Sequence, residues 1–162
     1  MLMKGKGLTR KPFKRPARGS KRPQVKRKPT KRIKPRALKK KLEALQKQLT
    51  IKYHGDSCFT CPQKNLKKSN AQLGHVPWPR SVLSTECKFD TRFTRIQCFL
   101  CNIHRGGMGA VALERMKREG INTIALWEFN EQTKGLTYPL KWFELRIKAY
   151  EEQLKEYDEK NR

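Results

Sequence analysis

The feature that most constrains the fold of this chain is a pair of Cys-x-x-Cys motifs. The first runs from Cys58 to Cys61 and the second from Cys98 to Cys101, with 36 residues between them. Two residues between cysteines allow a tight turn that points both sulfurs at one ion, and two such turns complete a tetrahedral thiolate shell. The spacing therefore predicts a structural zinc ion that closes the 36-residue insertion at its base. A redox dithiol is the alternative, although a redox Cys-x-x-Cys pair would lie at the start of a helix that follows a strand. The fifth cysteine, Cys87, is predicted to be a free thiol.

Positive charge is concentrated at the N-terminal end of the chain. The 162 residues carry a formal net charge of +25, from 39 Lys and Arg against 14 Asp and Glu. Residues 1–40 hold 18 of those basic residues, no acid and five of the nine prolines. Because it has little to bury and its like charges repel, this segment predicts a disordered Lys/Arg/Pro-rich tail over residues 1–36. The tail residues predicted to contact nucleic acid are Lys26, Arg27, Lys28, Lys31 and Arg32.

A charge surplus of this size predicts a polyanionic partner. A flexible polycation binds the phosphates of DNA or RNA without reading their sequence, so we expect steep salt dependence that is mostly lost when residues 1–36 are removed. A solubilising or ribosome-binding extension is the alternative. No apolar stretch approaches the roughly 18–20 residues of a membrane span, and the first residues lack the apolar run of a signal peptide. We therefore expect no membrane partner and a cytoplasmic location, where paired cysteines more often bind metal than form disulfides.

Apolar periodicity predicts a long helix on each side of the cysteine motifs. Residues 36–54 place four leucines three or four positions apart, with lysines on the remaining faces. Residues 139–160 repeat this pattern as one continuous apolar stripe, which either lies on its own domain or forms the contact of a homodimer. The leucines are Leu38, Leu42, Leu45 and Leu49, and the stripe consists of Leu140, Phe143, Ile147, Tyr150, Leu154 and Tyr157.

Two shorter helices are predicted before the C-terminal one. The first covers residues 108–119 and stops at Gly120, and the second covers residues 122–128 and is capped by Asn122. Residues 58–107 are rich in turn formers and predict short, irregular structure that depends on the metal for its stability. The residues expected to be buried are Val111, Leu113 and Met116 in the first short helix and Ile124, Leu126 and Trp127 in the second.

His75, Asn102 and His104 are the candidates for catalytic chemistry. His75 lies inside the insertion, while Asn102 and His104 directly follow the second cysteine motif, so closure of the zinc site would let these segments meet. A neutral imidazole near its ordinary pKa of about 6.5 takes a proton from water that attacks a phosphodiester. Asn102 and His104 offer oxygen and nitrogen ligands for a second metal ion. A packing or hydrogen-bonding role for His75 is the alternative that spacing alone leaves open.

Several motifs follow one another in a familiar order. A basic Leu-rich helix leads into the first cysteine pair, and the chain ends in an amphipathic helix with Tyr150 and Leu154. The intervening motifs are Gln72-Leu73-Gly74-His75, Lys88-Phe89-Asp90-x-Arg92 and Gln97-Cys98-x-x-Cys101-Asn102-x-His104-Arg105-x-Gly107. With these motifs, about three quarters of the chain, from about residue 36 to the C-terminus, resembles the NinG/Rap recombination endonuclease family of lambdoid phages, which is related to the HNH (ββα-metal) nucleases.

The resemblance implies an α+β fold with a small zinc-stapled HNH-like ββα-metal core, flanked by helices and preceded by the disordered basic tail. Residues 37–162 would form the zinc-containing nuclease domain, including the helix 139–160. The implied activity is that of a metal-dependent, structure-selective endonuclease on branched recombination intermediates such as Holliday junctions and D-loops. By transfer, His75 is the general base, and Asn102 and His104 belong to the phosphate or metal site, which takes Mg²⁺ or Mn²⁺. If the chain is encoded by a phage, its location is the host cytoplasm.

Two residues depart from the family pattern. Phe93 stands where the family usually has an Asn that braces the loop carrying the base, and Met108 stands where a Gly-Asn pair normally ends the motif. Asp90 or Thr94 is the candidate to replace that Asn. The alternative function is therefore a non-catalytic, zinc-stapled basic protein that binds DNA or RNA on a degenerate HNH scaffold. In either case, the residues predicted to contact nucleic acid near the site are Arg80, Arg92, Arg95 and Arg105.

Overall fold

The computed structural model describes residues 34–162, so the predicted tail contacts at residues 26–32 lie outside the described part of the chain. The described chain is a mixture of helices with a two-stranded sheet, which confirms the predicted α+β class. No helix within residues 34–162 is both long and apolar enough to cross a membrane. The elements are α1 (Pro35–His54), β1 (Ala71–His75), α2 (Thr85–Lys88), β2 (Thr94–Cys98), α3 (Gly109–Arg118), α4 (Thr123–Thr133) and α5 (Leu140–Lys160).

The two long helices, α1 and α5, pack against each other through the faces that their periodicity predicted. Helix α1 starts with Pro35 in its first turn, where a missing N–H costs nothing, and ends at Gly55, whose φ of 78° stops the helix. Each buried Leu, Ile or Phe stabilises the fold by about 1.5–3 kcal/mol, so this pair is a firm framework. The stripe of α5 thus lies largely on its own domain, although Leu140 is 45% exposed. The buried hydrophobic residues of the pair are Leu38, Leu42, Leu49, Phe143, Ile147 and Tyr150.

The two strands form an antiparallel pair inside the segment that we expected to be irregular. Ala71 on β1 lies opposite Cys98 on β2, and His75 lies opposite Thr94. The prediction for residues 58–107 was wrong at these two places because the strands are only five residues long and pair across the intervening α2 segment. Every residue of β2 is buried, including the polar Thr94, Arg95 and Gln97, so polarity in the sequence does not mark an exposed face of this strand.

Helices α3 and α4 contribute to a second core, which is built around Phe93. Ala112 and Met116, one helical turn apart on α3, are fully buried beside Phe93, and Leu126 of α4 joins them. Helix α4 begins as predicted, because the Asn122 side chain accepts a hydrogen bond from the N–H of Ala125 at 3.0 Å. The expected burial was wrong at two positions, since a short helix buries only one face: Val111 is 44% exposed and Ile124 is 71% exposed.

Candidate functional site

All four predicted zinc-ligand cysteines lie together. Cys58 and Cys61 occupy the loop after α1, whereas Cys98 ends β2 and Cys101 lies in the turn that follows it. The four sulfurs lie within 4.8 Å of one another, and Cys61 Sγ is 3.9 Å from Cys98 Sγ. A tetrahedral site with Zn–S bonds of about 2.3 Å requires sulfur–sulfur distances of about 3.8 Å. The cluster therefore has the size that one zinc ion requires, and it could bind a structural zinc.

Backbone N–H groups point at the sulfurs of this cluster. The N–H of Cys98 donates to Cys58 Sγ at 3.2 Å, and the N–H of Cys101 donates to Cys98 Sγ at 3.4 Å. Burial raises the pKa of Cys58, but hydrogen bonds from Cys98 and Thr60 outweigh this effect and lower the pKa to about 6. Burial raises the pKa of Cys101 to about 12. The cluster thus favours a thiolate at Cys58, while Cys101 needs a nearby cation to lose its proton.

The fifth cysteine, Cys87, lies apart from the cluster. It is fully buried on α2, with its sulfur 3.8 Å from the hydroxyl of Thr133. It forms no disulfide, which confirms the prediction of a free thiol. Burial raises the pKa of Cys87, so this thiol belongs to the core and is chemically inert at neutral pH.

His75 ends β1 with its imidazole ring fixed by a backbone group. The Nε2 atom lies 3.0 Å from the carbonyl oxygen of Lys88. Because a carbonyl can only accept, Nε2 carries the proton and Nδ1 of the neutral ring is left as an acceptor. Burial lowers the pKa of His75 from its ordinary value, and the Lys88 carbonyl opposes that shift only in part. The ring is therefore neutral at pH 7, and its Nδ1 atom can accept a proton.

His75 and Asn102 line the same cavity, which has a volume of about 340 Å³. Arg80 lies on its wall, and Gly106 and Gly107 complete the side that faces the turn after β2. His104 does not belong to this lining: its side chain is exposed, and its ring lies edge-on to the ring of Phe99, with the centroids 5.2 Å apart. The structure thus brings together two of the three residues predicted for catalysis.

Gln97 connects the two sides of this cavity. Its Nε2 donates to the carbonyl of Gly107 at 2.7 Å and to the hydroxyl of Thr60 at 3.1 Å. The side chain reaches these partners by crossing β1 directly over Gly74, where any Cβ would come within 2.8 Å of the Gln97 amide carbon. Gly74 is therefore required so that Gln97 can pass and hold the turn beside His75. Gln97 belongs to the Gln-Cys-x-x-Cys motif of the sequence, but only the strand register shows what its side chain crosses.

Phe93 is a core residue with no part in the cavity. Its side chain is fully buried and packs against Trp78, with the ring centroids 6.2 Å apart. The two residues proposed as replacements for the family Asn are engaged elsewhere: Asp90 bonds the guanidinium of Arg92, and the hydroxyl of Thr94 lies 3.1 Å from that of Thr50. In residues 34–162 the hydrogen-bond partner of the imidazole is the Lys88 carbonyl, which a side-chain substitution at position 93 does not remove.

The four arginines predicted to contact nucleic acid lie in different environments. Arg80 lines the cavity and forms an ion pair with Glu43, while Arg105 is exposed on the turn after β2. Arg92 is exposed and pairs with Asp90 at 2.7 Å. Arg95 requires a correction, because it is only 3% exposed and donates from Nη1 to the Thr94 carbonyl at 2.8 Å. Its guanidinium stacks over the ring of Phe59, so it stabilises the interior and does not face a phosphate backbone.

The groups of the cavity define what it can do. No family model, curated protein or solved structure matches this chain. The cavity combines a neutral imidazole at His75, an amide at Asn102 and the guanidinium of Arg80. These groups suit an anionic substrate and a reaction in which a base takes up a proton. The described residues that line it include no carboxylate, so Asn102 is the side chain that offers oxygen to a hard cation such as Mg²⁺.

Proposed function

We propose that this protein is a metal-dependent, structure-selective DNA endonuclease that acts on branched recombination intermediates such as Holliday junctions and D-loops. The observation that carries the proposal is the hydrogen bond from His75 Nε2 to the Lys88 carbonyl, at 3.0 Å, on the wall of a cavity that also holds Asn102 and Arg80. The order of motifs that resembles the NinG/Rap family supports the substrate class.

The proposed scaffold is an HNH-like ββα-metal core stapled by zinc. The base ends β1, the antiparallel strand β2 follows, and Asn102 lies in the turn that leads to α3. A structural zinc ion at the four cysteines would fix that turn, because Cys98 and Cys101 are two of its ligands and flank the approach to Asn102. The ion thereby serves as scaffold, and the chemistry belongs to the neighbouring cavity.

In the proposed mechanism, His75 removes a proton from the water that attacks phosphorus, while the bond from phosphorus to the leaving oxygen of the phosphodiester breaks and that oxygen takes a proton from solvent. Its lowered pKa keeps the imidazole neutral at pH 7, and the Lys88 carbonyl holds the ring in place during the transfer. Arg80 contributes positive charge beside the phosphate, although its ion pair with Glu43 offsets part of that charge. A bound Mg²⁺ or Mn²⁺ would neutralise charge on the phosphate. Asn102 would hold that ion through its amide oxygen.

One observation favours a second candidate, a non-catalytic zinc-stapled protein that binds DNA or RNA. Magnesium in enzymes is usually held by one or two carboxylates, and the described lining of this cavity offers only an amide oxygen. A scaffold that binds nucleic acid through basic residues would need neither the carboxylate nor the base. Under this candidate, the cavity contacts a phosphate without cleaving it.

A nicking assay on a synthetic four-way junction with Mg²⁺ or Mn²⁺ separates the two candidates. We expect His75→Ala to lower the cleavage rate by about 10²–10⁴-fold, the usual contribution of a general base, with junction binding unchanged. The matched control is His54→Ala, because His54 is exposed at the end of α1 and outside the lining of the cavity. If wild type and His75→Ala are equally inert while both bind the junction, the nuclease proposal fails and the binding protein is left.

A further inference from the structure

The two cysteine turns differ in what they do with the residues between their cysteines. In the first turn, Phe59 is 6% exposed and Thr60 is 8% exposed, so both are packed into the protein. In the second turn, Phe99 is 46% exposed and Leu100 is 50% exposed. Binding of an ion by the cysteines does not require apolar residues at these positions. Because Phe99 and Leu100 remain about half exposed, they contribute little to stability through burial. Their exposure therefore needs another explanation.

Ile103 extends this apolar surface, since it is 57% exposed and lies four residues after Phe99. We refer to Phe99, Leu100 and Ile103 as the apolar prong. Three of the ten large hydrophobic residues that are exposed in the described chain thus fall within five consecutive positions. Clustered exposed apolar residues mark binding surfaces more often than isolated ones do.

The prong is held rigidly. The N–H of Phe99 donates to the side-chain oxygen of Asn70 at 2.9 Å, and the cysteines on either side of Phe99 and Leu100 belong to the cluster of four sulfurs. The ring of Phe99 also lies edge-on to His104, which gives this exposed histidine a supporting role outside the cavity. A rigid apolar projection loses little conformational entropy when it binds.

The prong adjoins the candidate active site, because Asn102 lies between Leu100 and Ile103 and lines the cavity with His75. Its surroundings in the sequence are basic. Residues 91–113 contain no Asp or Glu, and neither do residues 62–85, which include Asn70. The exposed basic residues of these two segments are Lys64, Lys67, Lys68, Arg80, Arg92 and Arg105.

An apolar tip among cations suits a ligand that offers flat apolar faces and an anionic backbone at once. Bases at the branch point of a DNA junction meet this description, whereas the base faces of a continuous duplex are covered by stacking. Apolar side chains that enter between bases are an established way in which proteins unstack DNA, and aromatic rings bind the exposed faces of single bases. A second copy of this chain is a poorer occupant, since each copy carries a formal charge of +25.

We propose that the apolar prong inserts at the branch point of the DNA, where it contacts unstacked bases and places the adjacent phosphate at the cavity of His75 and Asn102. This inference rests on the proposed function for the class of its substrate. It assigns the preference for branched over linear DNA to Phe99, Leu100 and Ile103, while the basic residues supply affinity that does not depend on branching.

The test is carried out in a His75→Ala background, so that binding is measured without cleavage. A four-way junction carries 2-aminopurine beside the branch point, where its fluorescence rises when the base is unstacked, and a linear duplex of the same composition serves as reference. The variants are Phe99→Ala, Leu100→Ser and Ile103→Ser. Ile124→Ala is the matched control, since Ile124 is 71% exposed on α4 and lies outside the prong. Zinc content and circular dichroism establish that each variant is folded.

We expect the parent protein to raise the fluorescence and each prong variant to abolish most of that rise. Phe99→Ala should weaken junction binding by about 5- to 150-fold, the range given by loss of one base–aromatic stack, with duplex binding unchanged. Prong variants that are folded and keep both the fluorescence rise and the junction preference overturn the inference. The inference is also overturned if the parent protein sediments as a dimer and the prong variants do not, because the prong is then a contact between copies.

The same variants distinguish this inference from the proposed function. If prong variants in the wild-type background still cut junctions as fast as before and prefer them to duplex, the prong is refuted and the nuclease stands. If the parent protein unstacks the branch and the wild type never cuts, the prong stands and the nuclease is refuted.

Discussion

Gly74→Ala should loosen the candidate site although it adds only one methyl group. The new Cβ would lie 2.8 Å from the amide carbon of Gln97 and 3.1 Å from its Cγ. Gln97 is fully buried and must move aside, which breaks its hydrogen bonds to the Gly107 carbonyl at 2.7 Å and to the Thr60 hydroxyl at 3.1 Å. The turn after β2, which carries Asn102 and leads to Gly107, then loses the hydrogen bond that Gln97 of β2 donates to it.

The cost follows from these two hydrogen bonds. The bond to the Thr60 hydroxyl contributes about 0.5–1.5 kcal/mol, and leaving the partly buried Gly107 carbonyl without a donor costs about 1–3 kcal/mol. We therefore expect the free energy of unfolding to fall by about 2–4 kcal/mol, a large part of the 5–15 kcal/mol of a typical domain. The corresponding decrease in Tm is roughly 5–15 °C for a domain of this size.

The assay is a double-mutant cycle in the zinc-loaded protein, measured by denaturant unfolding. Gln97→Ala removes the side chain that the new methyl group strikes, so Gly74→Ala should cost less than about 0.5 kcal/mol when it is added to Gln97→Ala. Gly120→Ala is unsuitable as a control because its φ is +73°, a conformation strained for alanine; Ser69→Ala, at an exposed loop position before β1, is the better one. If Gly74→Ala costs the same with and without Gln97, the steric argument is refuted.

Four further predictions concern the metal, the base, the pH dependence of stability, and the tail. Cys98→Ser should lose zinc and unfold the region around the cluster, because zinc binding contributes about 10–16 kcal/mol in small zinc domains, while Cys87→Ser should keep a full zinc content by metal analysis. The cleavage rate should rise with pH along a titration whose midpoint lies below pH 6.5, since burial lowers the pKa of His75 from its ordinary value; a rate that still climbs above pH 8 would contradict His75 as the base. For the same reason His75 is protonated more readily in the unfolded chain, so stability measured by urea titration should decrease as pH falls through 6.5 towards the folded pKa. Removal of residues 1–33, which carry 14 Lys and Arg, should flatten the plot of log affinity against log salt, and an unchanged slope would assign the salt dependence to residues 34–162.

Most of the helical framework could be predicted from the sequence. The α1 and α5 boundaries follow the leucine and aromatic periodicity within one residue of the ranges 36–54 and 139–160. Periodicity did not locate the strands, because the polar residues of β2 are buried together with its apolar ones and its partner β1 is separated from it by 18 residues of chain. Local periodicity reports burial of one face, and it carries no information where both faces are covered.

The candidate site, like the fold, could be predicted only in part from the sequence. His75 and Asn102 meet at one cavity as expected, whereas His104 turns out towards Phe99 and Arg95 turns into the core. Nothing in the residue types distinguishes the histidine that lines the cavity from the one that does not. Which of His75 and His104 lines the cavity depends on where β2 ends and on the path of the turn that follows it.

By itself, the sequence determined the set of four clustered cysteines and the apolar faces of the long helices, because both depend on spacings of a few residues that local geometry converts into shape. Only the tertiary structure decided that Gln97 crosses Gly74 to hold the turn at Gly107, and that the Lys88 carbonyl fixes the ring of His75. These contacts join residues 10 to 23 positions apart in the chain through strand register and loop path. Spacing in the sequence specifies neither of those, since they are set by how the whole domain packs.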